Sequence, residues 1–281
     1  MLKPLDTDTL LKGIHRAVRL GALARARRSA VEILGASAAS SGNHPTLNEA
    51  FDRAVSLIWP AFQPIVAWPD GRVFAYEALL RSRDLGFPGP LAILEAAERL
   101  RRVHEVGRRM RAAVAEAIPT LDPPILVFVN LHPRDLLDDD LFNPDAPLSR
   151  HAGRVVLEMT ERAALNGLGD IPGKIRKIRA LGFRIAVDDL GAGYAGLTSV
   201  LQLEPDVVKL DMSLVRGIDA EASRQSVVRS MTNLCRELGM NVVAEGVETE
   251  GERDALGEIG CPLLQGYWFA PPGPAFPGIR S

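Results

Sequence analysis

The sequence lacks several features that would each indicate a particular class of protein. No stretch approaches the ~20 consecutive apolar residues that a membrane-spanning helix requires, so we expect no membrane span. The formal net charge is only -2, which gives no electrostatic reason to expect binding to a nucleic-acid polymer. None of the five histidines precedes an aspartate, so the sequence does not indicate a metal site of the His-Asp type.

Cysteine is also scarce in this chain. Cys235 and Cys261 are the only two, and their spacing does not match a metal-ligand pattern. The sequence opens with MLKPLDTDTL, which has acidic residues where a secretory signal peptide would be basic and then apolar. These observations together predict a protein of the reducing cytoplasm.

The first part of the chain differs in composition from the rest. Residues 1–34 predict an amphipathic helical segment, with apolar residues at helical spacing and arginines on the other faces. Residues 35–46 are rich in small and polar residues and predict a linker, which leaves 47–281 as the main domain. We interpret the helix as a packing or dimer helix, with a membrane-surface or regulatory role as the alternative.

Eight short apolar runs follow the linker, and segments with helical signals separate them. Their length and β-branched content are typical of buried parallel strands, so the alternation predicts an α/β fold, a (β/α)₈ barrel. Thr249 and Glu252 have capping-box spacing at the start of one intervening helix. The runs lie at 62–68, 72–77, 125–130, 154–158, 184–189, 206–209, 241–245 and 262–265.

Seven of these runs end on polar residues, which a barrel would bring together at one face because the carboxyl ends of its strands meet there. Five of the residues are carboxylates, which would repel one another unless divalent cations lay between them. A ligand set of oxygen atoms favours Mg²⁺ or Mn²⁺ over zinc. The residues are Glu77, Asn130, Glu158, Asp188 with Asp189, Lys209, Glu245 and Gln265.

The adjacent pair Asp188 and Asp189 has no lysine or arginine beside it in the sequence. A metal ion, a cationic group brought in by the fold, or solvation at a surface turn would each accommodate two neighbouring anions. Adjacent side chains on a strand point to opposite faces, so both can reach one site only if the backbone departs from strand geometry. Gly191 and Gly193 permit such a departure.

Eight motifs in this order resemble the EAL phosphodiesterases of bacterial cyclic di-GMP signalling. The motifs span about residues 55–275 and are FQPIV, YEALLR, VNLHP, LEMTER, VDDLGAGYAGL, DVVKLD, VVAEGVET and LLQGYWFAPP. The signature tripeptide is Glu77-Ala78-Leu79. The resemblance implies a modified TIM barrel with an antiparallel first strand, and hydrolysis of cyclic di-GMP to linear pGpG.

The resemblance also implies roles for individual residues. It implies two ions of Mg²⁺ or Mn²⁺, whose ligands would be Glu77, Asn130, Glu158, Asp188 and Asp189, with Asp188 shared between the ions and Glu245 near the second. Lys209 and Glu245 would orient or deprotonate the attacking water, which Gln265 would help to hold. Arg81 resembles a contact to a substrate phosphate, and we predict further substrate contacts at Gln63, Leu79 and Trp268. Residues expected to support the ligands or anchor the following loop are Glu161, Glu248 and Asp211.

One motif departs from the family pattern. Where the family usually has D-D-F-G-T-G-Y-S-S-L, this chain has DDLGAGYAGL, so Ala192 lacks a hydroxyl that could fix the loop. We expect a homodimer and a regulatory partner for the N-terminal helix. The alternative function is an EAL-like module that binds cyclic di-GMP or a protein without hydrolysis. Such relatives are expected to lose metal ligands, whereas this chain keeps them, so we favour the enzyme.

Overall fold

The computed structural model of the chain describes residues 46–160, 168–191 and 202–280. The chain divides into two compact units. The smaller one includes the described residues up to Ile58 and Arg81–Arg102, and the larger one includes Trp59–Leu80 and the described residues from Val103 onward. The predicted helical segment 1–34 and nearly all of the linker 35–46 lie outside the described residues, so those boundaries stay predictions.

The smaller unit contains two helices, α1 (Leu47–Ser56) and α2 (Pro90–Leu100). A capping box between Thr46 and Glu49 begins α1, because each side chain accepts a hydrogen bond from the other residue's backbone N–H. The ring of Phe51 is fully buried, and the guanidinium carbon of Arg102 lies 4.8 Å from its centroid. This contact between the segments 46–58 and 81–102 helps to hold the smaller unit together.

Eight strands form a closed barrel in sequential order, and nearly all of their residues belong to the larger unit. The strands are β1 (Ile58–Ala67), β2 (Arg72–Ser82), β3 (Leu126–Asn130), β4 (Val155–Thr160), β5 (Arg184–Leu190), β6 (Val207–Leu210), β7 (Asn241–Ala244) and β8 (Leu263–Gln265). Strands β2 to β8 are parallel from each strand to the next, whereas β1 pairs antiparallel with β8. The predicted barrel with an antiparallel first strand is therefore confirmed.

Five α-helices of the larger unit are described: α3 (Val103–Ala117), α4 (Ile171–Ala180), α5 (Met212–Val215), α6 (Ala222–Glu237) and α7 (Glu250–Ile259). The predicted capping box between Thr249 and Glu252 begins α7. None of the described helices in either unit combines the length and the hydropathy needed to cross a bilayer.

Apolar side chains fill both sides of the barrel wall. Ile65, Phe128 and Val243 are fully buried in a cluster inside the ring of strands, whereas Val66 and Leu264 belong to a second cluster with residues of the surrounding helices. This difference follows from strand geometry, in which consecutive residues face opposite sides. Because side chains pack the barrel interior, the polar residues at the strand ends collect at one end of it.

Candidate active site

The structure brings the polar residues at the strand ends together at the carboxyl end of the parallel strands. Each side chain comes from a different strand or the residue after it, except for the adjacent pair on β5. The cluster consists of Glu77 on β2, Asn130 on β3, Glu158 on β4, Asp188 and Asp189 on β5, Lys209 on β6, Glu245 after β7 and Gln265 on β8. We refer to these eight residues as the acidic cluster.

Lys209 lies at the centre of the acidic cluster. Its side chain has no solvent exposure, and its Nζ lies 2.6 Å from Glu245 Oε1 and 2.8 Å from Glu158 Oε1. Longer contacts of 3.1 and 3.5 Å join the same nitrogen to Glu77 Oε2 and Asp188 Oδ1. One ammonium group therefore contacts four carboxylates, which makes it the cationic group that the aspartate pair lacks in the sequence.

Glu77 is held by a chain of amide side chains. Its Oε1 accepts a hydrogen bond from Asn130 Nδ2 at 3.1 Å, and its Oε2 accepts one from Gln265 Nε2 at 2.7 Å. The amide nitrogen of Gln265 also approaches Gln63 Oε1 at 3.3 Å, while Gln63 donates to the backbone oxygen of Ala270. Both ends of the Gln63 amide thus have protein partners, whereas the side-chain oxygen of Asn130 has none among the described residues.

Strand geometry breaks at the end of β5, as the sequence suggested. The register between β5 and β6 shifts between Val187 and Leu190, and Asp189 has a left-handed φ of +60°. The backbone N–H of Asp189 donates to Asp188 Oδ1 at 2.9 Å. This bulge turns both carboxylates toward one site, and one carboxylate oxygen each of Asp188, Asp189 and Glu245 lies within 4.8 Å of the others.

Burial and mutual repulsion shift the titration of the cluster. Burial raises the pKa of Glu245 to about 8, and it raises the pKa of Glu158 well above its ordinary value, although the Lys209 charge opposes both effects. The pKa of Glu77 is lowered: burial would raise it, but the charge of Lys209 and hydrogen bonds such as that from Gln265 outweigh burial.

Lys209 stays protonated in this environment. Burial alone favours the neutral amine, but the charges of Asp188, Glu158, Glu245 and Glu77 outweigh it, so the pKa of Lys209 lies well above its ordinary value. With every group ionised, five negative charges and one positive charge would leave the acidic cluster at -4. Such a charge excess favours binding of cations.

Three buried oxygen atoms of the cluster have no hydrogen-bond partner among the described residues: Glu158 Oε1, Glu158 Oε2 and Gln265 Oε1. Glu158 Oε1 forms its ion pair with Lys209 without hydrogen-bond geometry. Buried polar atoms are rarely left unpaired, so an ion or an ordered water is expected at such positions. The oxygen-rich donor set therefore fits hard divalent cations such as Mg²⁺ or Mn²⁺.

The profile of the EAL domain family matches residues 46–272 of the sequence. This chain belongs to the EAL domain family. Its signature glutamate is Glu77, whose side chain belongs to the acidic cluster, while the next residue, Ala78, is buried. The family match thus includes all eight residues of the cluster.

Among the curated relatives, the cyclic di-GMP phosphodiesterase PA2567 of Pseudomonas aeruginosa is 30% identical over 251 residues, which are 82% of this chain and 43% of PA2567. The blue light- and temperature-regulated antirepressor BluF of Escherichia coli is 26% identical over 234 residues, covering 80% of this chain and 55% of BluF. The chain therefore spans about half the length of these relatives.

Two structures of BlrP1 from Klebsiella pneumoniae resemble the EAL chain. The calcium and cyclic di-GMP complex has a TM-score of 0.69 at 29% identity and covers 84% of this chain and 59% of BlrP1. A manganese and cyclic di-GMP complex has a TM-score of 0.68 at 30% identity and covers 79% of this chain and 57% of BlrP1. Both BlrP1 structures therefore resemble this chain over most of its length.

The structure does not bring every predicted site residue of the EAL chain into the acidic cluster. The indole of Trp268 lies 5.4 Å from the guanidinium carbon of Arg253, which also lies over Trp68. The contact between Trp268 and the substrate stays a prediction. Arg81 follows Glu77 by four residues in β2 and belongs to the smaller unit, and Glu161 lies outside the described residues.

The predicted supporting residues make contacts away from the cluster. Glu248 pairs with Arg216, and Asp211 caps α5 by accepting a hydrogen bond from Ser213 N at 2.9 Å. The backbone N–H of Asp211 also donates to the oxygen of Leu190, directly after the aspartate pair. Leu79 is half-buried in β2.

Sequence reasoning missed two residues that hold the loops of the EAL site. A Cβ atom at Gly266 would overlap the backbone oxygen and nitrogen of Val247, so only glycine permits the close approach of the segments that carry Gln265 and Glu245. Glu252 accepts hydrogen bonds from the backbone N–H groups of Gly217, Glu248 and Thr249. Its capping-box spacing was visible in the sequence, but its link to Gly217 was not.

Proposed function

We propose that this chain hydrolyses cyclic di-GMP to linear pGpG with two divalent metal ions at the acidic cluster. The observation that carries the proposal is the convergence of Asp188, Asp189 and Glu245 within 4.8 Å, beside a fully buried lysine. Support comes from PA2567, which is named a cyclic di-GMP phosphodiesterase, and from BlrP1, whose structures contain cyclic di-GMP with calcium or manganese.

The carboxylates and Asn130 are the groups that would hold the ions. Glu77, Asn130, Glu158 and Asp188 would bind one ion, and Asp188, Asp189 and Glu245 the other. The unpartnered oxygen of Glu158 and the excess of negative charge support this assignment. When bound, the ions would neutralise the phosphodiester charge and lower the pKa of water at the site.

Three residues of the chain would then act on the attacking water. Lys209, whose buried ammonium contacts four carboxylates of the cluster, would orient the water by donating a hydrogen bond. Glu245, whose Oε1 lies 2.6 Å from Lys209 Nζ, would orient the water or accept its proton. Gln265 would accept a hydrogen bond from the water at its Oε1, which has no partner among the described residues.

The remaining assignments are proposals about the substrate and the supporting residues. Arg81 would bind a phosphate, a role that suits its forked guanidinium, and Gln63 and Leu79 would contact the substrate. Glu161 would anchor the loop after Asp189. The homodimer, a regulatory partner for residues 1–34 and a cytoplasmic location stay predictions.

A second candidate is a binding module that acts through a protein partner. The relative that favours it is BluF, which is named an antirepressor and not a hydrolase. In this case the chain would bind cyclic di-GMP, and the acidic cluster would produce no turnover. Binding without product formation is the result that distinguishes this candidate from the enzyme.

The deciding experiment is incubation of the purified chain with cyclic di-GMP and either Mg²⁺ or Mn²⁺, followed by chromatography. We expect linear pGpG to accumulate, and we expect EDTA to stop the reaction. A linear dinucleotide assayed in parallel tests whether the cyclic substrate is required. If cyclic di-GMP binds in calorimetry but stays intact with either metal, the enzyme assignment is wrong and the binding module is favoured.

A further inference from the structure

A cavity of about 450 Å³ lies on the outer side of the barrel wall, and the proposed hydrolysis does not use it. Its lining includes Val66, which faces the helices and not the barrel interior, so the cavity is separate from the acidic cluster. The volume is within the range of roughly 300–1,000 Å³ that is typical of small-molecule sites. The cavity therefore has room for an aromatic ligand of two or three rings.

Aromatic rings form the walls of this cavity. The guanidinium carbon of Arg253 lies 5.0 Å from the ring centroid of Trp68 and 5.4 Å from that of Trp268, so one cation holds both indoles. Arg253 itself pairs with Glu250 at 2.9 Å and with Asp254 at 2.6 Å. Its charge is therefore matched locally, and its function in the cavity is to fix the two rings.

A second arginine supplies charge that is not matched. The backbone N–H of Arg280 donates to the oxygen of Phe269 at 2.9 Å, which places this residue at the cavity. Its side chain is exposed, and its guanidinium has no ion-pair partner among the described residues. The cavity thus combines fixed indole rings with one available positive charge.

We propose that this cavity binds a small aromatic anion with a single negatively charged group. The rings of the ligand pack against Trp68 and Trp268, and its anionic group pairs with Arg280. Neither Arg253 nor Arg280 has a role in the proposed hydrolysis, so the two proposals can fail independently.

The proposal can be tested with 8-anilinonaphthalene-1-sulfonate as the probe, in EDTA so that the acidic cluster repels the sulfonate. The chain contains three tryptophans, so a Trp59→Phe background leaves Trp68 and Trp268 as the only ones. We expect one probe per chain by calorimetry, together with quenching of tryptophan fluorescence. Arg280→Ala should weaken probe binding about tenfold, which corresponds to ~1.4 kcal/mol.

Two comparisons separate charge from ring packing. N-phenyl-1-naphthylamine, which has the same rings without the sulfonate, should bind Arg280→Ala and the parent within about twofold of each other. Trp268→Leu should weaken both probes, and Arg176→Ala, which changes an exposed arginine on α4, should affect neither. The proposal is overturned if fluorescence is not quenched, or if Arg280→Ala binds the sulfonate as well as Arg176→Ala does. Arg280 is exposed, so its variant tests the proposal even if Trp268→Leu misfolds.

Discussion

The ammonium group of Lys209 is fully buried and lies within 3.5 Å of four carboxylates. Removal of the only partner of a buried charge typically costs about 3–5 kcal/mol. We therefore expect Lys209→Met to lower the free energy of unfolding by a similar amount in EDTA, because the buried carboxylates would repel one another without the ammonium charge between them. Urea denaturation of the variant and the parent measures the difference.

Lys177→Met is the matched control, since Lys177 is exposed on α4. We expect its unfolding free energy to change by less than about 0.5 kcal/mol. Saturating Mn²⁺ should narrow the difference in stability between Lys209→Met and the parent, and it should stabilise Lys177→Met by the same amount as the parent. Equal losses in the two variants would show that Lys209 does not neutralise the cluster.

Substitution of Glu77 should lower the activity much more than the stability of the fold. Its carboxylate joins Lys209, Gln265 and Asn130, and it is a proposed metal ligand. We expect Glu77→Ala to lower kcat by about 100-fold or more, because a lost ligand impairs binding of the ion. The fold should persist, since Lys209 keeps three carboxylate partners.

Steady-state rates and circular dichroism test this prediction together. Glu116→Ala, an exposed position on α3, should keep the parent rate. Full turnover by Glu77→Ala at the same Mn²⁺ concentration would exclude Glu77 as a ligand.

At the scale of elements, the segments after β7 and β8 hold each other in place. The N–H of Val247 donates to the oxygen of Gln265, and the N–H of Trp268 donates to the oxygen of Val247. We expect Gly266→Ala to destabilise the fold by about 1–3 kcal/mol, because its Cβ would overlap the Val247 backbone. Activity should also fall, since Glu245 and Gln265 would be displaced.

Gly153→Ala is the control for this substitution, because a Cβ atom at Gly153 would have no heavy atom within 4 Å. Thermal unfolding should show a lower midpoint for Gly266→Ala and little change for Gly153→Ala. If both variants match the parent in stability and rate, the segments after β7 and β8 are not constrained as the structure indicates.

The strands and their polar ends could be predicted from the sequence because each strand is a short apolar run. Polar residues such as Glu77, Asp188 and Glu245 end these runs, so the pattern is visible within a few consecutive residues. The contacts of Trp268 and Gly266 could not be predicted, because they depend on how segments distant in sequence approach each other. Trp268 follows Gln265 by three residues, and its indole lies 5.4 Å from the guanidinium carbon of Arg253, which also lies over Trp68. Such contacts have no signal in the few residues around each position.

At the scale of the whole molecule, the acidic cluster should make stability depend on pH. Burial raises the pKa of Glu245 to about 8 and that of Glu158 above its ordinary value of 4.5. Between pH 4.5 and the raised pKa values, the folded state keeps protons that the unfolded state has released. The contribution of these two groups to the free energy of unfolding is therefore highest near pH 4.5 and falls as the pH rises. The lowered pKa of Glu77 acts in the opposite direction, but only below its ordinary value of 4.5.

We expect the unfolding free energy in EDTA to be higher at pH 5.5 than at pH 8.5 by roughly 2 kcal/mol, since the buried carboxyl group of Glu245, whose pKa is about 8, ionises over this range. Glu245→Gln should reduce the difference, because an amide does not ionise. Saturating Mn²⁺ should reverse the trend, because the ion binds the ionised carboxylates of the folded state and competes with protons. Urea denaturation at the two pH values, with EDTA or Mn²⁺, measures all three effects. A flat profile in EDTA that Mn²⁺ leaves unchanged would mean that the carboxylates neither repel one another nor bind the ion.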